Sequence, residues 1–157
     1  YEPTSYPTAI GGILPYVRQY NQVARLHVMQ KSSQATQWAL KLFKTQLANA
    51  NLQTKLDQLY QLIESDITVC TDPCINAFKP NVAAHTQNSL KSKFYFAELG
   101  LKKNVVTKAL FWIHEASHLS PLRTKDHAYK MQSALALDND KAMSNAASYV
   151  FFMSNVR

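Results

Sequence analysis

The residues of this chain best suited to chemistry stand together at His114-Glu115-Ala116-Ser117-His118. On a helix, residues four apart lie one above the other, so both imidazoles point at one spot and can share one zinc ion. Glu115 is next along the same helix, where its carboxylate reaches a metal-activated water and can take its proton as general base. Such a set of groups hydrolyses acyl bonds. A catalytic zinc takes three protein ligands and keeps a fourth position open. A third histidine six residues after His118 is ruled out, because that position is Thr124, and no glutamate follows Glu115. The later carboxylates are Asp126, Asp138 and Asp140, so the third donor is an aspartate or else His127.

These groups need a helix beneath them, and the preceding residues supply one. Asn104 can cap a helix running through Val105, Val106, Ala109, Leu110 and Ile113 into His118, stopped by Pro121. Upstream, Leu52, Leu56, Leu59 and Ile63 recur at helical spacing and predict an amphipathic helix after a break at Ala48-Asn49-Ala50-Asn51. Ser32 or Ser33 can cap another, with Ala35, Trp38, Ala39, Leu42 and Phe43 on its apolar face. An earlier helix from Tyr16 would bury Tyr20, Val23 and Leu26 or His27. Residues 1–15, punctuated by Pro3, Pro7, Gly11, Gly12 and Pro15, read as an irregular arm. Residues 68–90 read as loop, and Lys93 to Glu98 as a short strand closed by Gly100. Helical pattern returns over 129–137 and 141–153.

At 157 residues the chain fits a single domain. Three glycines are too few for an all-β fold rich in tight turns. No stretch reaches the roughly 20 apolar residues of a membrane span. The net charge of +7 comes from basic residues scattered singly or in pairs, with no nucleic-acid motif, so it describes a solvated surface and no nucleic-acid partner is expected. Cys70 and Cys74 flank Asp72-Pro73, a bend that can bring two sulfurs together. A short-loop disulfide is therefore expected, since two thiols are too few for a structural zinc site. The chain reads as a mature or trimmed domain, and the expected setting is secreted, extracellular.

Beyond the first motif, Thr124-Lys125-Asp126-His127-Ala128-Tyr129 resembles the second signature of the deuterolysin family, the aspzincins, written G-T-x-D-x-x-Y-G. Asn145-Ala146-Ala147-Ser148-Tyr149-Val150-Phe151-Phe152 is similar to that family's Asn-Ala-Asp-Ser-Tyr/His-Glu-Tyr-Phe stretch. The three pieces keep the family's order over the last third of the chain, and the remainder matches only loosely. The resemblance implies Asp126 as third ligand beside His114 and His118, with Tyr129 near the metal. It also implies a mostly helical α+β fold, zincin-like, with an active-site helix and a small sheet whose exposed edge includes Phe94 to Phe96. Two departures fall in the loop: Arg123 and Lys130 stand where the family has glycine. Ala147 and Val150 occupy the places of acidic residues that receive a substrate lysine in the lysine-specific branch. An ammonium entering there would be unpaired, which is costly in a desolvated site, so strict lysine specificity is not expected.

The function implied is a zinc-dependent endopeptidase acting on protein or peptide, with Glu115 as general base and the Tyr129 hydroxyl assisting at the oxyanion. His127 is expected to point away from the metal or support it from outside, and His27 and His85 carry no motif. Substrate is expected to lie along the strand at Lys93 to Glu98. Three rivals stand beside this reading: a zinc hydrolase of non-peptide acyl groups, the cleaving domain of a secreted toxin or effector, and a non-catalytic basic binding module.

Overall fold

Short polar side chains start the helices that build the core. In the computed structural model, which describes residues 10–157, α1 is Leu14–Met29, α2 is Ser33–Phe43 and α3 is Ala50–Glu64. Ser32 Oγ accepts from Ala35 N (3.1 Å) and Asn49 Oδ1 from Leu52 N (3.1 Å), each satisfying an amide that the first helical turn leaves free. Pro15 sits in the first turn of α1, where its missing N–H costs nothing. Of the expected irregular arm over residues 1–15, residues 1–9 lie outside the described residues, while Gly11–Ile13 forms a 3-10 turn leading into α1.

The α3 stripe is as expected, with Leu52, Leu56, Leu59 and Ile63 all buried. The buried face of α1 lies elsewhere, at Val17, Asn21, Ala24 and Val28, while Tyr16 and Leu26 are exposed. Asn21 disguised that face. Its amide donates to Tyr60 O (3.3 Å) and Glu64 Oε1 (3.0 Å) on α3, so a polar residue sits inside the α1–α3 contact with its donors used.

The sheet has three strands, β1 (Thr68–Asp72), β2 (Ala84–His85) and β3 (Lys93–Ala97), in the order β1-β3-β2. β1 runs parallel to β3 and β2 antiparallel to it. Residues 68–90 are thus not all loop: the Thr68-Val69-Cys70-Thr71 run, rich in β-branched side chains, pairs with β3 before Pro73 breaks it. Nor is β3 an edge. It is paired on both sides, and among the described residues the open edges belong to β1 and β2. Cys70 is buried in β1 while Cys74 is exposed at the start of α4 (Ile75–Phe78), and both are free thiols, contrary to the disulfide expectation.

After β3 come α5 (Glu98–Leu101) and α6 (Val105–Ser117), the latter capped by Asn104 Oδ1, which accepts from Thr107 N at 2.8 Å. The remaining helices are α7 (Met131–Leu135), α8 (Asn139–Met143) and α9 (Ala146–Asn155). The helical run expected over 141–153 is broken at Ser144-Asn145. α6 packs against α1, α3 and α9. Phe94 meets Trp112 of α6 edge-on (5.4 Å), and Phe43 packs on Tyr149 (4.8 Å) and Phe152 (5.9 Å) of α9. The first pair locks the sheet against the helix that carries the motif, and the others join α2 to α9, which itself packs on α6.

Gly100 fixes the position of β2. A Cβ there would run into the carbonyl oxygen of Ala83, which accepts from Ala97 N (2.9 Å) and holds the start of β2 against β3. Gly100→Ala is expected to cost about 1–3 kcal/mol through overpacking. Urea unfolding should show a lower midpoint with an unchanged slope.

Candidate metal centre

The last turn of α6 places the His114 and His118 rings 5.0 Å apart, edge to face. Asp126 arrives from the loop beyond, with one carboxylate oxygen, Oδ1, 2.9 Å from His114 Nε2 and 3.3 Å from His118 Nε2. His118 Nδ1 lies 2.8 Å from the carbonyl oxygen of Thr124, an acceptor only, so Nδ1 carries the proton and Nε2 is left as a ligand atom. Two imidazole nitrogens and one carboxylate oxygen at a single point form the donor set of a catalytic zinc. The residues fit that ion. Glu115 also reaches the region, and ligand atoms of His114, Glu115 and His118 all lie within 4.8 Å of one another.

The loop carrying Asp126 is braced from three directions. Ser117 Oγ lies 2.7 Å from Thr124 Oγ1 and donates to His114 O (2.6 Å), while Thr124 N donates to Ser117 O (3.0 Å). Lys125 and Asn145 form a bridge through Lys125 N to Ser144 O (2.7 Å) and Ala146 N to Lys125 O (2.9 Å). Asn145 itself is fully buried. Its Oδ1 accepts from the amides of His127 (2.9 Å) and Ala128 (3.1 Å), and its Nδ2 donates to Ser148 Oγ (3.0 Å). The helical run breaks at Ser144-Asn145 because both residues are committed to this loop. Asn145→Ala would strand two amides and free the loop. It should cost about 1–3 kcal/mol of stability and about 10- to 100-fold in zinc affinity, measured by thermal unfolding and by competition with a chelator.

Arg123 has φ 53°, the left-handed conformation that favours glycine, so the loop keeps a glycine-like bend although the residue is arginine. Lys130 has φ −92° and ψ 151°, which any residue adopts.

The carboxylate of Glu115 is buried beside the three donors, with Oε2 4.0 Å from His114 Nε2 and Oε1 accepting from Thr86 Oγ1 at 2.9 Å. Burial raises its pKa; the His114 and His118 charges and the Thr86 hydrogen bond oppose this without cancelling it. Asp126 behaves the other way: burial acts to raise it, but hydrogen bonds from His114 and His118 outweigh that and hold it well below the usual carboxylate range. For His118, burial acts to lower the pKa, and Asp126 together with the Thr124 carbonyl outweighs it, leaving a net rise.

Tyr129 stacks over His114 (6.1 Å between centroids, 10° between planes) and stays 67% exposed, so its ring lies beside His114 and outside the core; partial burial and the nearby Asp126 charge raise its pKa. His127 points away, its Nε2 3.2 Å from Ser144 Oγ. Asp138 caps α8 by accepting from Lys141 N. His85 has a structural part after all. Its Nε2 lies 2.8 Å from Asp72 Oδ2 and its ring stacks on Tyr95 (5.0 Å), anchoring β2. Ala147 and Val150 are buried on α9. Thr86 and the bracing role of Asn145 were not foreseen. Nothing local marks Thr86, because only the β2–β3 pairing brings it to Glu115.

Residues 27–154 match the family described as lysine-specific metallo-endopeptidase, the aspzincins. Among solved structures, a zinc peptidase from Grifola frondosa shares the fold, with a TM-score of 0.76 and 21% identity over 94% of this chain and 93% of that one. No curated protein matches. Since the family match covers most of the sequence, the chain belongs to the aspzincin family of zinc metallo-endopeptidases.

Proposed function

We propose that His114, His118 and Asp126 hold one zinc ion and that Glu115 is the general base of peptide-bond hydrolysis. The observation that carries this reading is the meeting of Asp126 Oδ1 with Nε2 of both histidines. When bound, zinc polarises the peptide carbonyl and lowers the pKa of a water toward neutrality. Glu115, with Oε1 tied to Thr86 and Oε2 turned toward the donor atoms, takes the proton of the attacking water and returns it to the leaving amine. Its burial favours this proton traffic, because desolvation disfavours the charged carboxylate and so raises its affinity for the proton. Tyr129, stacked on His114, offers its hydroxyl to the oxyanion forming at the carbonyl.

Substrate pairs with β2 in this scheme, since β3 is internal. Ala83 O faces β3, so by the alternation of an antiparallel ladder the backbone groups of Ala84 and Thr86 face the open edge. An extended peptide added there runs beside Glu115, because the Thr86 side chain touches it. Ala147 and Val150 offer no carboxylate to a substrate lysine, which favours tolerance for apolar side chains over strict lysine specificity.

The test is metal removal. The chain should hold one equivalent of zinc, lose cleavage of denatured protein when a chelator strips it, and regain cleavage when one equivalent is returned. His114→Ala should bind no stoichiometric zinc. Hydrolysis of small esters without hydrolysis of protein would favour the non-peptidase rival instead.

A further inference from the structure

Side chains alternate along β3, so Phe94 and Phe96 enter the core while Lys93 and Tyr95 face the other side of the sheet. His85, paired with Tyr95 and stacked on it, shares that side. With Ala84 opposite Phe96 and His85 opposite Tyr95, the next residue on that side, Gln87, falls beside Lys93 as the chain leaves β2. There Gln87, Asn88, Lys91, Lys93 and Tyr95 line a cleft of about 240 Å³. A water's share of liquid volume is about 30 Å³, so the cleft has room for a side chain.

The cleft is positively charged and has a fixed backbone. Asn88 Oδ1 accepts from Leu90 N (2.9 Å), Asn88 O from Lys91 N (3.2 Å) and Lys91 O from Lys93 N (2.8 Å), so one tight turn sets both lysines. Lys93 Nζ lies 5.7 Å from the centre of the Tyr95 ring. Among the described residues, neither Lys91 nor Lys93 forms an ion pair with a carboxylate. Two ammonium groups beside two side-chain amides suit an anionic partner and repel a cationic one.

We propose that Lys91 and Lys93 form a subsite for an acidic side chain of the bound peptide, adjoining the scissile position on the face of the sheet opposite Glu115. This rests on the proposed docking of substrate along β2. A strand added at that edge lies about 4.8 Å from β2 and sends alternate side chains to the His85 side. One of them meets the cleft while its neighbours face α6. The subsite selects a residue beside the cleavage point and leaves the hydrolytic groups untouched.

The test uses the full zinc-loaded chain and a peptide library randomised around the scissile bond. One position should be enriched in Asp and Glu. In the double variant Lys91→Glu/Lys93→Glu that same position should turn toward Lys and Arg, with about a tenfold loss of kcat/KM for the acidic peptide. Turnover of a peptide with Ala there should be unchanged. The native preference should also shrink as salt is raised to about 1 M, where the Debye length falls to about 3 Å. Cleavage with no acidic preference at any position, or a preference that survives the charge reversal, overturns the subsite alone. If no peptide is cleaved by the zinc-loaded chain, the peptidase reading falls and the subsite with it.

Discussion

Glu115→Gln should keep one equivalent of zinc and lose peptide hydrolysis, with kcat lowered by about 10²- to 10⁴-fold. The amide has the size of the carboxylate and can still accept from Thr86 through its oxygen, so the side chain should stay where it is. What it cannot do is take a proton from water. Glu115 is buried and its carboxylate is held against the cost of desolvation, so the neutral replacement should leave the fold as stable as before, or more so. Zinc content by atomic absorption, thermal unfolding and turnover of a quenched peptide separate these effects. Cleavage persisting within tenfold of the native rate would remove Glu115 from the role of base.

Asp126→Ala should act on the metal. Asp126 is the carboxylate that meets both imidazoles, and hydrogen bonding to the two rings holds its pKa low against the effect of burial. Loss of an outer partner of a ligand costs about 10- to 100-fold in metal affinity, and loss of the ligand itself should weaken zinc binding by more than that. Activity measured without added zinc should disappear, and high zinc should restore only part of it. His127→Ala, one residue on, should leave zinc affinity nearly unchanged, because that ring turns toward Ser144. Equal losses from the two variants would mean that the loop as a whole matters and that Asp126 is no ligand.

How much of this was legible beforehand differs from element to element. The α3 stripe, the Ser32 and Asn104 caps and the β3 segment were readable, because each depends on neighbours a few residues away along the chain. β1 was hidden: it is a short parallel strand followed closely by Pro73, and its pairing partner lies some 25 residues later. β2 has only two residues and is a strand solely by virtue of β3. The α1 face was misjudged because the buried Asn21 is made acceptable by Tyr60 and Glu64, acceptors on another helix. The disulfide expectation failed because Cys70 is committed to the sheet while Cys74 faces solvent.

By itself the sequence determined the relation of His114, Glu115 and His118, since spacing along one helix sets which side chains share a face. The aspartate was narrowed to a few positions by elimination and singled out by family resemblance. Only the tertiary structure decided that Asp126 reaches both rings, that Asn145 holds the loop that brings it there, and that Thr86, one residue beyond β2, hydrogen-bonds Glu115. Those contacts join segments distant in the chain, and such joining depends on how the sheet, α6 and α9 pack around a common core.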